Sequence, residues 1–109
     1  MMLKNTLLNA LNEYRIFIQF EPGMRTQRGV NHMLQRIQSC EDYINEGNEI
    51  STSWLHSNYD VLSKAVKHAH DQFHQNNESN EEHRDLNMLM QIYIEFFEQN
   101  NIDKVYMSI

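Results

Sequence analysis

His70 and His74 stand four residues apart, the spacing at which two imidazoles on one helix face can share a metal ion. Such a site needs further donors. Residue 71 is Asp rather than the Glu that an H-E-x-x-H metalloprotease helix uses as its base, and no third ligand follows at a recognisable spacing. With Leu62 marking the apolar direction and about 100° of rotation per residue, His70 lies roughly 80° away and His74 roughly 120° away. Both therefore flank the apolar face. Lys67 and His56 share that side, and the lysine would repel a cation. His70 and His74 are the chain's metal candidates, weighed against polar residues that simply face solvent or a partner.

The other reactive residue types are less suggestive. Cys40 is the single cysteine, so an internal disulfide is excluded. It falls in register with Val30, Met33, Ile37 and Ile44, which reads as a buried thiol acting as a small hydrophobe. There is no G-x-S-x-G elbow, no P-loop, and no pair of carboxylates beside a histidine at a useful helical spacing. The expectation is a protein without catalytic activity and without a cofactor. Arg25 and Arg28 could hold a phosphate at a helix start, but no Gly-rich fingerprint accompanies them. Salt bridges with Glu78, Glu81, Glu82 and Asp85 are the simpler reading.

Charge points toward proteins as partners. Nine basic and 15 acidic residues give a net charge of −6. Nucleic-acid affinity comes mainly from Lys and Arg neutralising phosphates, so nucleic acid is disfavoured as a partner. Anionic membranes are disfavoured for the same reason. Glu41, Asp42, Glu46 and Glu49 form an acidic run, which Glu95, Glu98 and Asp103 are expected to join at one end of the fold. That surface would suit a basic protein partner.

The elements that position these residues follow from hydrophobic periodicity. With 109 residues there is room for one domain, 1–109. Three Gly and one Pro argue against a turn-rich β fold. Four segments repeat apolar residues at spacings of three and four, over about 3–20, 26–46, 52–75 and 80–100. Glu21-Pro22-Gly23 ends the first. Thr26 and Ser51 can cap the second and third, Gly47 can close the second, and Ser79 with Glu82 forms a capping box for the fourth. The fold class is therefore all-α, a four-helix up-down-up-down bundle with a short apolar C-terminal tail.

The fourth segment carries more apolar surface than one helix face can hide. Leu86, Leu89, Met90, Tyr93 and Phe97 form a stripe, and Met88, Ile92, Ile94 and Phe96 widen it. Such a helix is central in its fold or covered by something. Candidate covers are the tail through Val105, Tyr106, Met107 and Ile109, a second copy in a homodimer, or a foreign protein. Trp54 lies about 80° from the core direction of its segment and is a candidate anchor.

Nothing at the N-terminus reads as a signal peptide, and no run of about 18 apolar residues occurs. A cytoplasmic location is expected. The leading functional expectation is a small acidic protein-binding module of inhibitor, immunity, adaptor or anti-defence type. Its contacts would come from Trp54, Ile92, Phe96, Glu41, Asp42, Glu46 and Glu49. The alternatives are a metal-binding bundle using His70 and His74, and a homodimeric structural protein.

Overall fold

A computed structural model describes residues 2–21, 23, 25–75 and 81–102, with the side chains at 2, 73–75 and 81 outside that description. Every regular element among these residues is helical: α1 (Met2–Phe20), α2 (Gln27–Asn45), α3 (Thr52–Ser57), α4 (Tyr59–Gln75) and α5 (Glu81–Gln99). The chain is an all-α bundle, as its periodicity requires.

Two expected caps form. Thr26 Oγ1 accepts from the Gly29 amide at 3.0 Å and opens α2. Ser51 Oγ accepts from the Trp54 amide at 3.0 Å and opens α3. Each satisfies a donor that the first helical turn leaves without an intrahelical partner. Gly47 follows α2 with φ +86°, a geometry that glycine adopts without steric cost. At the end of α5 the same task falls to Asn101, φ +55°, and the Ile102 amide bonds back to the Phe97 carbonyl at 2.9 Å. Ser79 of the expected capping box lies outside the described residues.

The expected third helix is two. Asn58 adopts φ −112° and ψ 27°, off the helical track, and separates α3 from α4. Its amide group donates back to the Trp54 carbonyl at 2.9 Å, while its side-chain oxygen accepts from Arg36 Nη2 at 2.7 Å. Its own carbonyl receives the Leu62 amide at 3.0 Å, starting α4. An asparagine offers the backbone these alternatives to a continuous helix. Arg36 then fixes the break by a two-pronged grip on Asp60, at 3.0 and 3.2 Å.

The core is built from one stripe of each long helix. Leu7, Leu11, Tyr14 and Ile18 meet Ile37, Cys40 and Ile44, Leu62, Ala65, Val66 and Ala69, and Leu86, Leu89, Tyr93 and Phe97, all buried. The packing is not that of four equivalent neighbours. α4 packs most extensively against both α1 and α5, α1 also packs on α2, and α2 touches α4 only lightly. The small residues Ala65 and Ala69 let α4 approach its neighbours closely. Central place is thus shared by α1 and α4, the pair that packs most extensively on the other helices.

Candidate protein-interaction surface

The short helix α3 stands between two aromatic contacts. On one side Trp54 stacks on Tyr43 of α2, with ring centres 4.5 Å apart and planes 9° from parallel. On the other side His56 stacks on Phe96 of α5 at 4.2 Å and 17°. Residues two apart on a helix point to nearly opposite sides, which is why one short helix reaches both neighbours. Leu55, between them, is buried, and its carbonyl accepts the Tyr93 hydroxyl proton at 2.9 Å. Ser53 and Ser57 remain exposed on the outward face.

Phe96 and Ile92 are both half-buried and packed against the core. Phe96 also tilts against Tyr59 at 5.7 Å. Phe96, one part of the surplus on α5, is thereby covered from within the chain by the α3–α4 corner. Sequence periodicity could not show this, because the cover depends on the break at Asn58. Met88 is the large apolar residue of α5 that stays open, 46% exposed. The tail residues Val105, Tyr106, Met107 and Ile109 lie outside the described residues.

The acidic candidates divide. Glu41 is held by Arg15 of α1 and its side chain is only 13% exposed, so it serves the α1–α2 seam. Asp42, Glu46 and Glu49 are exposed. Asp42 accepts from Gln38 at 2.9 Å, and the Glu49 carbonyl receives the Tyr43 hydroxyl at 2.8 Å. That last bond ties the acidic connection to the Tyr43–Trp54 stack. Beside it lies a groove of about 390 Å³ lined by Lys4, Ile44, Gly47, Asn48, Glu49 and Ile50. Its floor is apolar and its rim carries one charge of each sign. Asp103 lies outside the described residues.

At the other end of the bundle, Arg25 Nη2 donates to the Tyr14 hydroxyl at 3.1 Å. Asp85 and Glu82 turn toward α1, where Thr6 and Asn9 donate to them at 3.0 and 3.5 Å. Glu78 and the side chain of Glu81, the other two carboxylates expected to pair with Arg25 and Arg28, lie outside the described residues. Glu82 also lies near Glu13, whose carboxyl is pushed up first by burial and then by that neighbouring charge.

The histidine candidates are only partly described. His70 Nε2 lies 2.7 Å from Asn87 Oδ1, and its ring centre lies 5.8 Å from that of His83 on α5. The side chain of His74 is outside the described residues. His83 and Asn87 escaped the sequence reading because they sit on a different helix, and periodicity within one segment carries no register between two. Among the described residues, no three His, Cys, Asp or Glu side chains form a metal-binding group.

Cys40 is buried, and burial, only partly offset by Arg36, raises its thiol to about 11. It has no character of an activated nucleophile. His68 is buried between α1 and α4, its ring 4.5 Å from Phe17 and 6.1 Å from Tyr14. Among the described residues no helix is long and apolar enough to cross a membrane. No family model matches the chain, and neither curated proteins nor solved structures give a significant match.

Proposed function

We propose that this chain is a small, non-catalytic protein-binding module that acts by occupying a basic surface of another protein. The observation that carries the reading is α3 itself. A six-residue helix is flanked by two aromatic stacks, and the end of α2 and the connection leading to it carry the exposed carboxylates Asp42, Glu46 and Glu49. Aromatic anchors beside like-signed charge favour a partner that brings Arg or Lys, because each cation can meet both a carboxylate and a ring face. The groove floored by Ile44 and Ile50 offers room for one partner side chain. The net charge of −6 would speed encounter with such a partner at low salt.

Native mass spectrometry of untagged protein, purified gently from its source, is the first test. A complex with a second, basic polypeptide that weakens with ionic strength is the expected result. Ser53→Arg, on the exposed face of α3, should abolish or weaken it while circular dichroism stays unchanged. A bare homodimer that persists in that variant would replace this reading with self-association, with Met88 on α5 as its first candidate contact.

A further inference from the structure

The neighbouring imidazoles of His70 and His83 carry an inference independent of partner binding. They belong to α4 and α5, and their ring centres are 5.8 Å apart. Two imidazoles on one ion, each with a metal–nitrogen bond of about 2.0–2.1 Å, hold their ring centres roughly 5–6 Å apart. The observed separation of ring centres falls in that range.

The second feature is the state of the His70 ring. Asn87 Oδ1 stands 2.7 Å from His70 Nε2. With that oxygen as acceptor, Nε2 carries the proton and Nδ1 carries the lone pair. Metal-binding histidines are commonly set in this way, one ring nitrogen donating to an oxygen while the other faces the ion. The Nδ1 atoms of both His70 and His83 are buried. The third feature is charge. Lys67, a cation on the same helix, is bound to Asp71, and Asp71 Oδ1 lies 3.7 Å from His70 Nδ1. That carboxylate offsets the charge of the lysine beside the ring.

We infer that His70 and His83 form a two-imidazole site bridging α4 and α5 for a late first-row divalent ion such as Zn²⁺. Asn87 positions the His70 ring. Imidazole pairs favour Zn²⁺, Ni²⁺ and Cu²⁺ over Mg²⁺ or Ca²⁺, which prefer all-oxygen shells. Because the site spans two helices, bound ion also ties the packing of α4 to α5.

Titration of the untagged full-length chain with ZnCl₂ by calorimetry tests this, with thermal unfolding as a second readout. One ion per chain should bind, and the melting temperature should rise with added Zn²⁺. His70→Gln and His83→Gln should each remove both effects, and Asn87→Ala should weaken affinity by about tenfold or more. His32→Gln, on exposed α2 surface, should bind as the unaltered chain does. Absence of binding below millimolar Zn²⁺ would overturn the inference. So would binding that survives His83→Gln but not His74→Gln, since the ion would then sit on the single-helix pair.

Discussion

His68 shows how a single buried residue can set a pH limit. Burial against Tyr14 and Phe17 lowers its proton affinity below the usual imidazole value, with Asp71 and Glu21 pulling weakly the other way. The unfolded chain then binds that proton more tightly than the folded one. Stability from this residue is fully present above pH about 6.5 and declines as pH falls through that value toward the lower folded one. Urea unfolding at about pH 7.5 and 5.5 should show a larger loss for the unaltered chain than for His68→Gln, and equal losses would remove the effect from His68. Cys40 gives a second prediction at this scale. With its thiol raised to about 11, it should resist Ellman's reagent in the native protein and react at once in denaturant. Tyr93 gives a third: Tyr93→Phe leaves the buried Leu55 carbonyl without its donor, at a cost of about 1–3 kcal/mol by chemical denaturation.

The break at Asn58 is the decisive event among the elements. It separates α3 from α4 and lets the short helix reach α2 through Trp54 and α5 through His56. Removing the supports of the corner should loosen α3 before the rest of the bundle. Asn58→Ala removes both the Trp54 carbonyl bond and the acceptor for Arg36. Hydrogen exchange should then quicken at residues 54–58 with little change in α1, and uniform quickening would mean that the corner is integral to global stability. Burial alone would raise the Asp60 carboxyl, but the hydrogen bond and charge of Arg36 outweigh it and hold the group below its ordinary value. The Arg36–Asp60 clamp is therefore at full strength near neutrality and weakens as acid protonates the carboxylate. Both partners are about a third exposed, so its contribution is modest.

For the whole molecule, the buried stripes of the two central helices, α1 and α4, mark where substitutions hurt most. Leu62 is fully buried on α4, and Leu62→Ala should cost about 2–5 kcal/mol in chemical denaturation. Substitutions on the outer face of α3, such as Ser53→Arg, should leave stability unchanged and act only on association. That contrast separates a protein whose surface is its product from one whose surface is incidental.

How much of this was legible in the sequence can be traced residue by residue. The repeats Leu7–Leu11–Tyr14–Ile18 and Leu86–Leu89–Tyr93–Phe97 named buried positions because a 3.6-residue period puts them on one face. Thr26, Ser51 and Gly47 marked helix ends because their chemistry is local. The Asn58 break was hidden, since Leu55, Tyr59 and Leu62 keep their helical spacing across it. The meeting of Phe96 with His56, of Arg15 with Glu41, and of His70 with His83 was hidden too. Hydrophobic periodicity and capping are short-range, so the sequence by itself determined the helices and their inward faces. Which outward residues meet depends on how the helices cross and where one of them bends. Only the tertiary structure decided that.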